Sequence, residues 1–348
     1  MPRFLPFVLG MMVCMAVSAS ARTWTNSEGV KIEADYVSSD GQMVILRMNG
    51  KDVNYPLAKL SEPDREWVAK QNAPGSPAAQ AGTAAASAPT GVRTGLPVTV
   101  RLFPDLEGYC KDRTRRNVAD AFKNGAYTDA QARHDDPAVW MRRDPGVDRY
   151  DLYVPASYDG STPYGLYLHI PPSPEARYPA TWQSVFDERK LIAVIPHGVG
   201  NNQQMLRRVT LSIDAMHTMM KDYKVDPKRR VVGGLSGGGH MAMLTAAMFP
   251  EYFVGAVSHA AQSYLPSDPR RGSHFPGMDI REFKRSPRKE MKWVVISGDK
   301  DKNYEEIQLT SKVWAAERLN YQFLDVPGMG HSNAKPEDLA KALDWILK

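Results

Sequence analysis

The chain has 348 residues, of which 43% are hydrophobic and 24% charged, with 26 glycines, 26 prolines and two cysteines. This composition is typical of a globular protein and excludes a disordered, collagen-like or disulfide-stapled chain. The length allows two or three domains. Lysine and arginine exceed aspartate and glutamate by 44 to 39, in no long block of one sign, so we expect no nucleic-acid partner.

The first 21 residues have the pattern of a secretory signal peptide. Arg3 precedes an uncharged apolar stretch from Leu5 to Val17, and the triplet Ala19-Ser20-Ala21 predicts cleavage before Arg22. The alternative, an uncleaved transmembrane anchor, needs about 20 apolar residues, which is more than this stretch supplies. We therefore expect an exported protein, periplasmic or extracellular, that has no membrane segment after cleavage.

Residues 22–70 carry the pattern of a small β domain. Apolar and polar residues alternate in short runs such as Met43 to Arg47, and Asp40-Gly41 and Asn49-Gly50 supply turns between the runs. The sequence of the segment, including Pro56-Leu57-Ala58-Lys59-Leu60-Ser61, resembles the SLA1 homology 1 domain, an SH3-like module. The resemblance covers nearly all of residues 22–70 and implies a small antiparallel barrel, whose partner the sequence does not identify.

A segment dominated by alanine, proline, glycine, serine and threonine follows the β domain. Between Lys70 and Arg93 no charged residue occurs. Such a segment buries too little apolar surface to order itself, and this predicts a flexible tether. We place the linker at 71–97 and a second domain at 98–348.

The second domain alternates strand-like and helical segments. Seven apolar runs predict strands, at Tyr150–Val154, Gly165–Ile170, Leu191–Pro196, Arg230–Leu235, Val254–His259, Met291–Ser297 and Tyr321–Val326. Helical stretches are expected near 203–223, 238–249, 304–319 and 336–347. This alternation predicts an α/β fold with a mostly parallel sheet covered by helices on both faces, in which ligands bind at the carboxyl ends of the strands.

One predicted strand runs into a serine flanked by glycines. Gly234-Leu235-Ser236-Gly237-Gly238 matches the pattern Gly-x-Ser-x-Gly, and an apolar helical stretch follows. Glycines at these positions allow the strained turn that presents a nucleophilic serine. The same glycines also fit a dinucleotide-binding fingerprint, but the acid expected about 20 residues later is missing from Val254 to Tyr264.

An acid and a base follow in the order that nucleophilic serine catalysis requires. One predicted strand leads to Asp299-Lys300-Asp301, and the next leads to Gly330-His331. The chain order Ser, Asp, His is that of α/β-hydrolases. We predict Ser236 as nucleophile, His331 as base and Asp301 as orienting acid. Asp299 is the alternative acid; Asp301 is preferred because a turn needs a few residues to aim its carboxylate.

An oxyanion hole needs two donors, and the sequence offers one of them clearly. The N–H of Gly237 is the first donor. The second is expected from the loop after Leu166 to Ile170, where Pro171 and Pro172 carry no N–H, so it falls to Ile170, His169 or Ser173. Candidates for substrate contact, all near predicted strand ends, are His169, His197, Asn201, His240, His259 and Tyr264.

These motifs, together with Tyr150-Asp151-Leu152-Tyr153-Val154-Pro155, Val225-Asp226-Pro227 and Phe249-Pro250, resemble exported esterases related to polyhydroxybutyrate depolymerases and feruloyl or acetylxylan esterases. The resemblance covers about residues 150–348 and implies an α/β-hydrolase fold. It also implies a serine esterase that forms an acyl-enzyme and uses neither metal nor organic cofactor.

The substrate implied is a polysaccharide-linked acyl or feruloyl ester, or a polyester-like and thus polymeric ester. The chain departs from the pattern by lacking the cysteine pairs of many exported members and the His-Gly-Gly motif of lipases. Two other functions stay open: a catalytically inactive hydrolase-fold scaffold that binds a partner, and a serine peptidase that uses the same three residues.

Overall fold

The computed structural model divides the chain into two compact units, residues 1–86 and 87–348. The residues that the structure describes are 22–39, 43–48, 51–71, 89–124, 141, 143–144, 146–175, 177, 179–270 and 272–348. The proposed signal peptide, 1–21, lies outside them, as does most of the proposed linker. Among the helices of the described part, none combines the length and the apolar character needed to cross a bilayer.

The first unit contains a four-stranded antiparallel sheet, which confirms the predicted small β domain. Its strands are β1 Arg22–Thr25, β2 Lys31–Ser39, β3 Met43–Met48 and β4 Lys51–Pro56, in that spatial order, and helix α1, Glu62–Gln71, follows. The alternating sequence buries Ala34, Val44 and Leu46 on one face. They pack with Trp24, which donates from Nε1 to the Ala34 carbonyl oxygen at 2.9 Å.

The second unit contains an eight-stranded sheet. Its strands are β5 Gly91–Pro97, β6 Arg149–Val154, β7 Tyr164–Ile170, β8 Leu191–Pro196, β9 Val225–Leu235, β10 Gly255–His259, β11 Lys292–Ser297 and β12 Tyr321–Asp325. The spatial order is β12-β11-β10-β9-β7-β8-β6-β5, in which β6 is antiparallel to both neighbours and β7 to β12 are parallel. The predicted mostly parallel sheet is confirmed.

Helices cover both faces of this sheet. They are α2 Leu106–Tyr109, α3 Arg113–Lys123, α4 Gln183–Glu188, α5 Met205–Met219, α6 Gly237–Met248, α7 Ile280–Phe283, α8 Tyr304–Ala316 and α9 Pro336–Leu347. Successive strand residues point to opposite faces, so Leu166 joins one buried cluster with α5, α6 and α8, whereas Tyr167 joins another with α4 and α9. Helix α9 illustrates the pattern, because its buried residues recur at helical spacing behind Pro336 at the first position.

The predicted linker extends too far toward the carboxyl end, because strand β5 lies inside it. Gly91–Pro97 pairs antiparallel with β6, and the Gly95 N–H donates to the Asp151 carboxylate at 2.9 Å. β5 is the edge strand of the sheet, and most of its side chains are exposed or half-buried. Its strand character therefore rests on backbone pairing with β6, which composition does not reveal.

Candidate active site

Ser236 sits on a strained turn between β9 and α6. Its φ of 55° and ψ of −125° lie in a region that side chains other than glycine rarely adopt. The turn is held because the Ser236 N–H donates to the His259 carbonyl oxygen at 2.9 Å, while the Ser236 carbonyl accepts from Gly239 at 2.8 Å. A Cβ atom on Gly238 would collide with the Ile170 carbonyl oxygen, so glycine is required where the helix starts.

Parallel strand ends bring the predicted base and acid to this turn. His331 Nε2 lies 2.9 Å from Ser236 Oγ, and His331 Nδ1 lies 2.8 Å from Asp301 Oδ1. The loops that carry them are joined, because the Lys300 N–H donates to the Met329 carbonyl oxygen at 3.1 Å. This chain of contacts can move a proton from a serine hydroxyl to an imidazole whose far side faces a carboxylate.

Two residues that sequence reasoning missed hold the Asp301 carboxylate. Ser297 Oγ donates to Asp301 Oδ2 at 2.7 Å, and the Asn303 N–H donates to Oδ1 at 3.0 Å. The Asp301 side chain itself is fully buried. Ser297 ends β11, and no sequence motif around it distinguishes it from an ordinary buried serine.

The alternative acid, Asp299, lies away from the histidine. Its side chain is half exposed, pairs with Lys300 and accepts a hydrogen bond from the Gly328 N–H. That backbone hydrogen bond is the main cause that lowers the pKa of Asp299 below its ordinary value. Of the two predicted acids, the structure brings Asp301 to His331.

The two residues predicted as oxyanion donors lie in different surroundings. Gly237 begins α6 directly after Ser236, where the first N–H groups of a helix have no partner within it. Ile170 presents its carbonyl oxygen to Gly234 and Gly238, so the structure gives no support to Ile170 as the second donor.

His169 and His259 are not on an accessible surface, contrary to their prediction as substrate contacts. They are 1% and 0% exposed and lie in an aromatic cluster with Tyr167 and Trp182 beneath the site. The Ala334 N–H donates to His259 Nδ1 at 3.1 Å, so the neutral ring carries its proton at Nε2, facing the Tyr167 hydroxyl. Burial lowers the pKa of His169 to about 3 and that of His259 well below its ordinary value.

The rings of His240 and Tyr264 both lie next to that of His274. His240, half-buried on α6, faces Ser263 Oγ at 3.4 Å, and its ring centre is 4.2 Å from that of His274. Burial, followed by the charges of His274 and Arg208, holds the pKa of His240 well below its ordinary value. Tyr264 is buried, and its hydroxyl donates to Glu306 at 2.8 Å. His274 was missed because it comes from a distant loop.

The last two predicted substrate contacts, His197 and Asn201, lie in different surroundings. His197 turns toward the sheet, where its Nε2 lies 2.9 Å from the Asp151 carboxylate. Asn201 is exposed, and its amide lies directly against Gly237. Among the described residues, no group of three or more histidine, cysteine, aspartate or glutamate side chains is arranged to hold a metal ion.

Comparison with known proteins agrees with this architecture. Residues 15–74 match the family model for SLA1 homology domain 1, and residues 211–324 match that for putative esterases. Poly(3-hydroxyalkanoate) depolymerase C from Paucimonas lemoignei is 30% identical over 135 residues, which are 34% of this chain. The match spans only 33% of that relative's length.

The solved structures to which the chain is similar include S-formylglutathione hydrolase from Staphylococcus aureus, with 14% identity and a TM-score of 0.47 over 58% of this chain and 93% of the other. A ferulic acid esterase gives 18% identity and a TM-score of 0.45, over 57% and 91% of the two chains. The chain therefore carries two separate family matches, one to SLA1 homology domain 1 and one to putative esterases, and the second falls within the unit that contains the mostly parallel eight-stranded sheet.

Proposed function

We propose that this chain is a serine carboxylic ester hydrolase that works through an acyl-enzyme. The observation that carries the proposal is the continuous contact from Ser236 Oγ through His331 to Asp301, at 2.9 and 2.8 Å, on a strained strand-to-helix turn. Backbone strain is costly and persists where the surrounding structure enforces it, which is common at functional sites. Ser236 and Asp301 lie within the esterase family match over residues 211–324.

In the proposed acylation, His331 Nε2 takes the Ser236 hydroxyl proton as Oγ bonds to the ester carbonyl carbon. The carbonyl oxygen becomes an oxyanion that accepts the Gly237 N–H. Asp301 stabilises the imidazolium and keeps the remaining proton on Nδ1. The tetrahedral intermediate then expels the alcohol oxygen, which takes the proton from Nε2, and leaves an acyl group on Ser236.

Deacylation repeats these steps with water. His331 removes a proton from water as the oxygen attacks the acyl carbon, and the second intermediate collapses to release the acid and restore the serine hydroxyl. Every proton moves between side chains of this chain, the substrate and water.

We propose that the enzyme is exported and acts on polymer-linked esters, either acyl or feruloyl groups on polysaccharide or a polyester. The leader pattern of residues 1–21 supports export. Similarity to the Paucimonas poly(3-hydroxyalkanoate) depolymerase C supports a polymeric ester. An appended small β domain is consistent with binding to an insoluble substrate.

A fluorophosphonate probe tests the reaction. We expect one labelled site in the wild-type protein and, in Ser236→Ala, loss of both labelling and hydrolysis of short p-nitrophenyl esters, because the variant has no nucleophile. Ser263→Ala, which removes a hydroxyl outside the proposed reaction path, is the matched control and should still label. Labelling that survives Ser236→Ala contradicts the mechanism. If the folded wild-type protein is neither labelled nor able to hydrolyse these esters, the alternative of a catalytically inactive binding scaffold replaces the proposal.

Product analysis separates the substrate classes. Release of ferulate or acetate from plant polysaccharide, release of hydroxybutyrate from polyester and cleavage of a peptide amide are measured on the same preparation. Activity confined to the amide contradicts the esterase proposal.

A further inference from the structure

The start of the loop after β7 is rich in carbonyl oxygens and prolines. Pro171 and Pro172 have no N–H, and the carbonyl oxygens of Pro171, Pro172 and Pro174 accept hydrogen bonds from the loop that follows β8 and from helix α5. The Ile170 carbonyl also faces the serine turn. The start of the loop that usually supplies the second oxyanion donor in this fold therefore presents the Ile170 carbonyl oxygen to the serine turn, and its two prolines have no N–H to offer.

A side-chain amide lies at this place instead. Asn201 packs against Gly237, the residue that carries the first proposed donor. Its Oδ1 lies nearest to the position that a Cβ atom on Gly237 would occupy, and its Nδ2 lies 2.9 Å from that position. The side chain is exposed, and among the described residues no hydrogen-bond partner engages its amide. Rotation of the amide can therefore present either Nδ2 or Oδ1 to a bound substrate.

The Asn201 backbone is firmly held, although its side chain is exposed. Its N–H donates to the Pro172 carbonyl oxygen at 2.7 Å, and the neighbouring Gly198 N–H donates to Pro174 at 2.9 Å. The buried Arg208 on α5 ties the two loops together, donating to the carbonyl oxygens of Val199 at 2.6 Å and Pro171 at 3.4 Å. The loop that carries the amide is therefore fixed, and only the Asn201 side chain has to orient during a reaction.

We propose that Asn201 Nδ2 is the second oxyanion donor, taking the place of the backbone N–H that Pro171 and Pro172 lack. This inference rests on the proposed ester hydrolysis. During acylation the carbonyl oxygen gains negative charge between the Gly237 N–H and the Asn201 amide, and the amide returns to solvent when the intermediate collapses. No bond to Asn201 forms or breaks.

Asn201→Leu tests the proposal, because leucine keeps the approximate volume and removes both donors. We expect kcat on p-nitrophenyl butyrate to fall about 100-fold or more while KM changes little, since the lost hydrogen bond belongs to the transition state. Affinity for an alkyl boronic acid, which forms a tetrahedral adduct on Ser236, should fall in parallel with kcat/KM. Asn201→Asp should be at least as impaired, because its charge repels the oxyanion.

Asn202→Leu is the matched control, because Asn202 lies in the same loop but against Gly200, and its kcat should stay near the wild-type value. An unchanged kcat in Asn201→Leu overturns the inference, and so does a raised KM with unchanged boronate affinity, which marks a ground-state substrate contact. If Ser236→Ala abolishes hydrolysis in the same series, such results leave the proposed function standing. If Ser236→Ala remains active, the proposed function itself fails.

Discussion

At the scale of single residues, His331 can serve as a base at Nε2 only while its other proton stays on Nδ1. The Asp301 carboxylate accepts that proton in a hydrogen bond, with 2.8 Å between His331 Nδ1 and Asp301 Oδ1. The Ser297 hydroxyl and the Asn303 N–H fix the carboxylate in turn. An acid that is fully buried and bonded on both oxygens keeps the imidazole in one orientation. Asp299 lacks this geometry although it stands only two positions away.

Asp301→Asn should lower kcat by about 10³ to 10⁴, because an amide Nδ2 that faces Nδ1 favours the wrong tautomer. Asp299→Asn is the matched control. Its amide oxygen can still accept from the Gly328 N–H, so we expect activity close to that of the wild type. Steady-state hydrolysis of p-nitrophenyl esters measures both variants, and a larger loss in Asp299→Asn than in Asp301→Asn would reverse the assignment of the acid.

His169 and His259 do not reach the surface where a substrate would bind. Because they are buried, we expect them to make the free energy of unfolding depend on pH. Burial lowers the pKa of His169 to about 3, whereas the unfolded chain binds that proton near pH 6.5. Between these values the unfolded state binds more protons, so the free energy of unfolding falls as pH falls from 6.5 toward 3. For this one ring the loss between pH 7 and pH 5 is up to about 2 kcal/mol.

His169→Phe should therefore reduce the acid destabilisation. Phenylalanine keeps the aromatic packing and removes the Nδ1 atom, which is buried and has no hydrogen-bond partner among the described residues. We expect a shallower fall in unfolding free energy between pH 7 and pH 5, measured by urea titration, and an unchanged KM. His259 still contributes, so the pH dependence will not vanish. An unchanged slope contradicts the burial argument, and a raised KM contradicts the absence of substrate contact.

At the scale of elements, apolar runs were enough to predict the parallel strands. β7, β8, β10 and β11 are buried along nearly their whole length, so each is a short, mainly apolar run with a turn after it. The serine turn and the chain order of the acid and the histidine could also be predicted, because nucleophilic serine catalysis restricts residue type and spacing. β5 was missed because it is an edge strand whose apolar side chains are largely exposed.

The surroundings of the site were less predictable, because they come from segments far apart in the chain. His169 and His259 stand at strand ends, as substrate-binding residues do, yet strand alternation turns both rings into the cluster under α4 and α9. Asn201 stands next to Gly237 because two loops are tied together through Arg208. Neither packing arrangement leaves a periodic pattern in the sequence.

At the scale of the whole molecule, the two compact units suggest separate roles. The unit that contains Trp24 and the four-stranded sheet has its own buried cluster. The proposed triad and the Asn201 loop belong entirely to the unit 87–348. We therefore propose that the small domain localises the enzyme on its substrate and takes no part in the chemistry.

Two truncations test this division and the corrected boundary. A chain starting at Ser87 retains β5, so it should fold and hydrolyse a soluble ester at the full-length rate while losing activity on a particulate polymeric ester. A chain starting at Val98 loses β5, the Gly95 hydrogen bond to Asp151 and the Arg93 hydrogen bond to the Tyr223 hydroxyl at 3.1 Å. It also exposes the edge of β6, so it should unfold at lower urea concentration and aggregate.

Equal stability of the two truncations would show instead that the linker extends to residue 97. Equal activity of the Ser87 chain and the full-length chain on polymer would remove the targeting role, because only a domain that concentrates the enzyme at a surface affects particulate turnover without affecting soluble turnover.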